Sequence, residues 1–178
     1  KKIITFVGKL NAAKGYDLFG KACTKILKEF PDWKVEVVGD EAREKINFNH
    51  PRFNLNGFQS HSYVQNLYKK SSIAVICSRW DEPFGRTSLE AASNGCAIII
   101  SNRGGLPETT NNALILRQLN EFQLYKLIKQ LIVHSKERKE LQKNALKNFY
   151  LTDAYISKKI DNIRSNLYEI SKPKKKKN

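Results

Sequence analysis

The hydrophobic positions change their spacing along the chain, from short apolar runs to longer amphipathic segments. Residues Ile3 to Gly8 form a short run rich in β-branched residues, which predicts a strand. Tyr16 to Phe30 carries apolar residues three and four positions apart, as an amphipathic helix does. Short apolar runs separated by helical segments are typical of a parallel sheet with helices on both faces, so we predict a three-layer α/β domain whose mostly parallel sheet has about six strands. Further strands are predicted at Lys34 to Gly39, Phe53 to Gly57, Ile73 to Cys77 and Ala97 to Ser101, and further helices at Ser62 to Lys70 and Gly85 to Asn94, the latter ended by Gly95.

The pattern changes after Asn112. A weak strand-like run, Ala113 to Leu116, is followed by helical periodicity from Glu121 to Ile170, which predicts two or three C-terminal helices. The last residues are a proline-interrupted lysine run. We expect residues 1–171 to form a single domain and residues 172–178 to form a disordered, lysine-rich tail.

Composition narrows the classes of function. The chain has 178 residues, a formal net charge of +15 and a pI near 9.8, which favours anionic partners such as nucleotides, nucleic acid or acidic membrane surfaces. No apolar run approaches the roughly 18 residues of a membrane span, so a transmembrane protein is excluded. There is no methionine, and the first residues already have the pattern of a fold interior, so we expect a piece of a longer protein.

The three cysteines and three histidines give no sign of a metal site. The cysteines are widely spaced, odd in number and without a C-x-x-C pair, which disfavours a disulfide framework or a zinc site and favours a reducing cytoplasmic compartment. The histidines lack metal-ligand spacing. We expect Cys77, Cys96 and Trp33 to be buried packing residues, whereas Trp80 is equally suited to packing and to stacking on a sugar.

Charged residues follow the first predicted strand. In a parallel α/β sheet, ligands bind beyond the carboxyl ends of the strands, and Lys9 and Lys14 lie there in the segment GKLNAAKG. Lysines in this position can neutralise a diphosphate. The spacing fits neither a Walker loop nor a G-x-G-x-x-G turn, and a solvated turn has the same appearance.

The segment EPFGRTSLE, which comes after the fourth predicted strand, contains the most candidate functional residues. Pro83 and Gly85 precede a helix, whose first N–H groups and positive dipole end can hold phosphate oxygens. Glu82 and Glu90 are eight residues apart, about two helical turns, so these carboxylates can accept hydrogen bonds from hydroxyls of a sugar at one end and a ribose at the other. The alternative is that Glu82 caps the helix and Glu90 is a surface charge.

A third segment, GGLPE at Gly104 to Glu108, is by itself only a tight turn. Taken with FVGKL-x-x-x-KG at Phe6 to Gly15 and E-x7-E at Glu82 to Glu90, it resembles the C-terminal half of family 4 glycosyltransferases, the retaining enzymes of the GT-B fold. The three motifs occur in the family's order and separation. The resemblance runs from residue 3 to about residue 170 and implies a Rossmann-like domain.

The resemblance implies that this domain holds a UDP-, GDP- or ADP-sugar, with no cofactor and no metal. A separate N-terminal domain, which we expect to be absent from this chain, would hold the glycan or lipid-linked acceptor of the hexose. The isolated domain would then be inactive in transfer. In such a domain Lys14 and Glu82 would be catalytic, together with Lys9, which stands where most members have arginine and so offers a point charge in place of a bidentate contact.

The resemblance also assigns further roles. The backbone of Phe84, Gly85 and Arg86 would approach the sugar and phosphates, Glu90 would accept from the ribose hydroxyls, and Phe58 lies where the family packs on the base. The whole expected donor-binding set is Gly8, Lys9, Lys14, Phe58, Glu82, Pro83, Phe84, Gly85, Arg86, Thr87 and Glu90.

Two other classes of function fit parts of the sequence. A basic adaptor could bind an anionic polymer or membrane through the lysine-rich helices and tail, although no nucleic-acid motif with interleaved aromatics is present, so no nucleic acid is expected. A nucleotide-sugar epimerase of the same fold would release product without an acceptor. For the leading hypothesis we expect a role in polysaccharide or lipopolysaccharide biosynthesis, in the cytoplasm or peripherally at the inner membrane face.

Overall fold

A computed structural model describes residues 1–171 of the chain and contains a single six-stranded sheet. The strand order is β3-β2-β1-β4-β5-β6, and every neighbouring pair is parallel. This confirms the predicted α/β class and the number of strands. The strands are β1 (Ile3–Val7), β2 (Lys34–Val38), β3 (Phe53–Leu55), β4 (Ile73–Ile76), β5 (Ala97–Ser101) and β6 (Ala113–Leu116).

Six α-helices and one 3₁₀ turn connect and follow the strands within the described residues. Two of the helices begin after polar N-cap residues, since the side chains of Ser60 and Asn120 accept hydrogen bonds from the backbone amides three residues on. The predicted tail, 172–178, lies outside the described residues. The helices are α1 (Tyr16–Glu29), α2 (His61–Lys70), α3 (Arg86–Ser93), α4 (Glu121–Val133), α5 (Ser135–Lys147) and α6 (Asp153–Ser171), and the 3₁₀ turn is Leu106–Glu108.

The sheet is buried on both faces, which explains the unbroken apolar runs of its strands. In β5, Ile99 belongs to the core that α1 and α4 cover, whereas Ile98 and Ile100 belong to the core on the opposite face, beside α2 and α3. Successive strand residues point to opposite faces of the sheet, and because both faces are buried here, both sets of residues are apolar. Trp33, Cys77 and Cys96 are buried, as predicted, and so is Cys23.

The strand order reverses between β1 and β4, because β2 lies on the other side of β1. At such a switch point the loops after the two central strands diverge and leave a crevice at the carboxyl ends of the strands. Here the two loops also touch: the amides of Arg79 and Trp80, after β4, both donate to the carbonyl of Ala13, after β1, at 2.8 and 3.1 Å. In the described part of the chain, no helix has the length and apolarity needed to cross a membrane.

Candidate active site

A pocket of about 300 Å³ opens at this switch point, between the loops that follow β1 and β4. Its walls are formed by the carboxyl ends of the two strands, by the loops that follow them, and by the segment that leads into α3. The pocket therefore joins two of the three sequence motifs in one space. Its lining residues are Phe6, Val7, Gly8, Lys14, Ile76, Ser78, Glu82, Pro83, Phe84, Gly85, Arg86 and Thr87.

Local packing turns Lys14 into this pocket. The side chain of Asn11 accepts a hydrogen bond from the Lys14 amide at 3.0 Å, which closes the loop after β1 into a turn. The next residue, Gly15, has φ +75°, and a Cβ there would lie 2.1 Å from the carbonyl oxygen of Cys77. Only glycine permits this contact with the end of β4, so the loop is pressed against the site.

Lys14 forms an ion pair with Glu82 inside the pocket. The side chain of Glu82 is only 15% exposed and that of Lys14 is 30% exposed, so the pair is partly removed from water. Glu82 therefore does not act as a helix cap, and the cap position belongs to Gly85. The two residues come from different loops, 68 positions apart in the chain, and each is the other's partner in the pocket.

The N-terminus of α3 forms another wall of the pocket. Gly85, at φ +87°, is the N-cap residue and has no capping side chain. The amides of Arg86 and Thr87, in the first turn, have no acceptor within the helix, because such bonds begin only later in a helix. Together with the helix dipole they make this edge of the pocket suited to an anion.

The glycine pair of the third motif supports the site from behind. The Gly105 amide donates to the carbonyl of Glu82 at 2.7 Å. A Cβ on Gly104 would lie 2.3 Å from that oxygen, and one on Gly105 would lie 2.7 Å from the carbonyl oxygen of Pro83. The motif thus lets the loop after β5 contact the backbone of the acidic segment directly.

An arginine fixes the acidic segment from the other side. Arg79 donates through both terminal nitrogens to the two carboxylate oxygens of Asp17 on α1, at 2.6 and 2.8 Å. Such a paired contact fixes orientation as well as distance. The pKa of the Asp17 carboxyl lies below its ordinary value: burial alone would raise it, but the hydrogen bonds and charge of Arg79 outweigh that effect.

Sequence reasoning missed four lining residues. Phe6, Val7 and Ile76 are the last residues of the two central strands, and Ser78 lies just beyond β4. The signal that could have found them is the topology rule itself, because residues at the carboxyl ends of strands on either side of a switch point must border the crevice.

Three of the expected binding residues do not line the pocket. Lys9 and Phe58 are exposed, Phe58 by 80%. Glu90 lies farther along α3 with a side chain only 19% exposed, so it is no ordinary surface charge. Two nitrogen atoms lie near its carboxylate, since His61 Nδ1 and Arg86 Nη2 are 3.8 and 3.9 Å from Oε1.

The described residues contain no cluster of three or more His, Cys, Asp or Glu side chains that could hold a metal ion. Two cationic side chains line the pocket, Lys14 and Arg86, and the side chain of Arg86 is 83% exposed.

This chain is similar in sequence to known proteins. The sequence model of one protein family, described as Glycosyl transferases group 1, matches residues 1–148. Spore coat protein SA of Bacillus subtilis is 32% identical over 160 residues, which are 80% of this chain and 42% of that protein. The chain thus spans less than half the length of that relative.

Solved structures give the same fold. The C-terminal domain of a glycosyl transferase group 1 family protein, LpcC, from Francisella tularensis has a TM-score of 0.74 and 25% identity, with 83% of each chain covered. Anabaena HepE, solved in complex with UDP and glucose, has a TM-score of 0.76 and 18% identity, covering 93% of this chain and 48% of that one. The match is to one half of such a larger chain.

Proposed function

Because this chain belongs to the glycosyl transferases group 1 family, we propose that its pocket binds a nucleoside-diphosphate sugar as the donor of a retaining, GT-B-type hexosyltransferase of family 4. One observation supports this most: Lys14 and Glu82 meet beside the N-terminus of α3 in a single pocket. A cation, a carboxylate and free helix amides suit a diphosphate joined to a sugar.

In this proposal the diphosphate takes the place of Glu82 at the ammonium group of Lys14. The phosphate oxygens also accept hydrogen bonds from the first-turn amides of α3, where Gly85 lets the backbone come close. Lys9, in the exposed part of the same loop, adds a second positive charge. These groups stabilise the negative charge that develops on the diphosphate as the bond to the sugar breaks, and no metal ion is needed for that charge.

The displaced carboxylate of Glu82 then accepts hydrogen bonds from sugar hydroxyls. Its loop is fixed on both sides, by Gly105 and by the Arg79–Asp17 contact, so the carboxylate is held where the sugar would lie. Glu90, about one turn along α3, would accept hydrogen bonds from the ribose hydroxyls, and Phe58 would pack on the base. Once the donor is bound, the ammonium group, the helix amides and the carboxylate are in place before charge develops in the reaction, which is how proteins lower a barrier electrostatically.

Sugar transfer itself needs an acceptor. We propose that a second domain supplies a glycan or lipid-linked acceptor, whose hydroxyl attacks the same face from which the nucleoside diphosphate leaves, so that configuration is retained. Relatives such as spore coat protein SA are more than twice as long as the matched part, which supports a second domain. Residues 1–178 alone would then bind donor but transfer little sugar. Cytoplasmic polysaccharide or lipopolysaccharide synthesis would be the setting.

A thermal-shift and calorimetry screen tests the donor site. UDP, GDP, ADP and their glucose conjugates are added to the 178-residue chain, with UDP-glucose first because HepE was solved with UDP and glucose. A ligand at a hundredfold excess over its Kd raises the free energy of unfolding by about 2.7 kcal/mol. Lys14→Ala should abolish most of the response to the best nucleotide.

Lys21→Ala provides the matched control. Lys21 is an exposed lysine on α1 whose nearest carboxylate, on Glu121, is 3.9 Å away, and it lies outside the pocket. Its loss should leave nucleotide binding unchanged. The donor-site proposal is wrong if no nucleotide stabilises the chain. It is also wrong if nucleotide stabilises the Lys14→Ala and Lys21→Ala variants to the same extent.

A further inference from the structure

The loop that carries Lys14 is held by a second loop of the fold. We call residues 8–15 the Lys14 loop, and the loop after β2, residues 39–52, lies against it. The carboxylate of Glu44 in that second loop accepts a hydrogen bond from the Ala12 amide at 2.9 Å. None of the residues that line the donor pocket comes from the loop after β2. Any contribution of this loop to the site is therefore made through the Lys14 loop.

Asn11 joins the two loops through both ends of its side-chain amide. Its Oδ1 accepts a hydrogen bond from the Lys14 amide at 3.0 Å, and its Nδ2 donates to Oε2 of Glu41 at 2.9 Å. The residue is only 8% exposed, and its backbone carbonyl accepts from the Tyr16 amide at 3.1 Å, where α1 begins. Asn11 therefore fixes the turn that contains Lys14.

The partner of Asn11, the carboxylate of Glu41, is nearly enclosed, with a side chain only 6% exposed. Arg43 in the same loop donates to Oε1 of this carboxylate, from Nε at 2.9 Å and from its backbone amide at 3.2 Å. Hydrogen bonds from Arg43 and from Asn11 lower the pKa of the Glu41 carboxyl to about 2. Glu41 is therefore ionised at neutral pH and faces Asn11 as an acceptor only.

An acceptor in this place sets the orientation of the Asn11 amide. The oxygen and nitrogen of an asparagine amide are similar in size, so the group also fits when it is rotated by about 180°. In that rotated arrangement the Asn11 oxygen would face the Glu41 carboxylate, and the Asn11 NH2 group would face the Lys14 N–H. Two acceptors would then meet, and so would two donors. Glu41 thus keeps the oxygen of Asn11 directed at the Lys14 amide.

We propose that Glu41 is a positioning residue for Lys14, acting through the side-chain amide of Asn11, in the binding of the donor diphosphate. This inference rests on the donor site proposed above, in which the Lys14 ammonium group contacts that diphosphate. The Lys14 side chain leaves the backbone between two fixed points: the amide that Asn11 holds, and Gly15, which packs against the end of β4. Loss of the first point frees the backbone at Lys14, so the ammonium group is no longer held in the pocket.

Charge alone predicts the opposite effect of Glu41. An acid close to an anion-binding loop repels the anion, so removal of its charge should tighten the binding of a diphosphate. A positioning role makes the same removal weaken that binding. The direction of the change in nucleotide affinity therefore separates the two explanations.

Calorimetry on the 178-residue chain with UDP, and in parallel with GDP and ADP, measures that direction. Glu41→Gln keeps the shape of the side chain, but with its oxygen turned to Arg43 it presents NH2 to Asn11 and favours the rotated amide. We expect about tenfold weaker nucleotide binding, as for the loss of one hydrogen bond. In Lys14→Ala protein, which lacks the ammonium group, Glu41→Gln should have no further effect.

An exchange of the two side-chain groups provides the rescue. Asn11→Asp alone places a second carboxylate against Glu41 and should also weaken nucleotide binding. In the double variant, Asn11→Asp with Glu41→Gln, one oxygen of the new carboxylate accepts from the Lys14 amide and the other accepts from the new glutamine. This double variant should bind nucleotide within about twofold of the natural chain.

Asp40→Asn is the matched control. Asp40 is an exposed acid of the same loop, and its backbone carbonyl accepts a hydrogen bond from the Leu10 amide at 3.3 Å. The variant loses one negative charge but keeps this backbone contact, so nucleotide binding should stay unchanged or tighten slightly. Urea unfolding establishes that each variant is folded at the temperature of the calorimetry.

Hydrogen exchange at the Lys14 amide gives a second reading that needs no ligand. Glu41→Gln should speed this exchange at least about tenfold, and Asp40→Asn should not. Unchanged exchange would overturn the proposal, as would nucleotide binding that Glu41→Gln leaves unchanged or tightens. If exchange responds but the natural chain binds none of the three nucleotides, the donor site is wrong and the positioning of Lys14 stands.

Discussion

The backbone of Gly104 lies so close to Glu82 that a Cβ at position 104 would be 2.3 Å from the Glu82 carbonyl oxygen. The glycine in the loop after β5 thus allows a close backbone contact that positions Glu82 in the loop after β4. The GGLPE motif, which in the sequence has only the appearance of a turn, contacts the segment around Glu82 directly in the fold.

We predict that Gly104→Ala destabilises the protein and displaces Glu82. Alanine at φ +51° costs roughly 1–2 kcal/mol, and the backbone overlap adds about 1–3 kcal/mol. Gly57→Ala is the control, because Gly57 also has positive φ, +64°, but a Cβ there meets nothing within 4 Å. Urea unfolding should give a larger loss for Gly104→Ala, and nucleotide affinity should fall in that variant only. Equal losses in the two variants would refute the role assigned to close approach.

Glu82→Gln should separate binding of the sugar from binding of the nucleotide. Glu82 forms an ion pair with Lys14, so loss of its charge frees the ammonium group for phosphate. Calorimetry should show unchanged or somewhat tighter binding of the free nucleoside diphosphate, and about tenfold weaker binding of its sugar conjugate relative to that nucleotide, since one charged hydrogen bond is worth about 1.5–3 kcal/mol.

Glu108→Gln is the control for this experiment, because Glu108 is an exposed acid at the end of the third motif and lies outside the pocket. It should alter neither affinity. If Glu82→Gln weakens both ligands to the same extent, Glu82 does not contact the sugar.

The Asp17–Arg79 pair predicts a pH dependence of stability. The Asp17 pKa is lower in the folded state than in the unfolded chain, where it is about 3.9, so the stabilisation is present above about pH 4 and is lost as the pH falls through the folded pKa. Asp17→Asn should therefore cost stability at pH 6, and its difference from the natural protein should shrink towards pH 3. Urea unfolding across that range measures this; a difference that is constant with pH would show that the pair contributes nothing through ionisation.

The three cysteines should be inert in the folded protein. Burial raises the pKa of Cys77 and of Cys96 to about 12 and raises that of Cys23 well above its ordinary value, so the reactive thiolate is scarce. Ellman's reagent at about pH 8 should modify no thiol rapidly in the native state and all three after unfolding in urea. Rapid modification of the native protein would show that one of the buried thiols is accessible.

Much of the fold could be predicted because its determinants are local. Buried parallel strands such as Ala97–Ser101 need continuous apolar runs, and helices such as Tyr16–Glu29 need apolar residues at helical spacing, so each element marks its own position. The motifs could also be placed, since the topology rule puts the loops after β1 and β4 at one edge of the sheet.

The pairing within the site could not be predicted in this way. Lys14 and Glu82 are far apart in sequence, and nothing in the local sequence indicates that they form an ion pair in the pocket. Phe58 is similar: its motif position suggests a binding residue, whereas the fold leaves it 80% exposed and outside the pocket. Side-chain direction depends on neighbours from other elements, which spacing along one element does not specify.

The sequence by itself therefore determined the α/β class, the order and bounds of most elements, and the three segments that gather at the site. Only the tertiary structure decided that GGLPE supports Glu82 by direct backbone contact, that Arg79 ties the acidic segment to α1, and that no residue of α6 is buried among the described residues. The physical reason is that hydrophobic periodicity encodes which face of an element is buried, whereas contacts between loops depend on distances fixed only when the whole sheet has assembled.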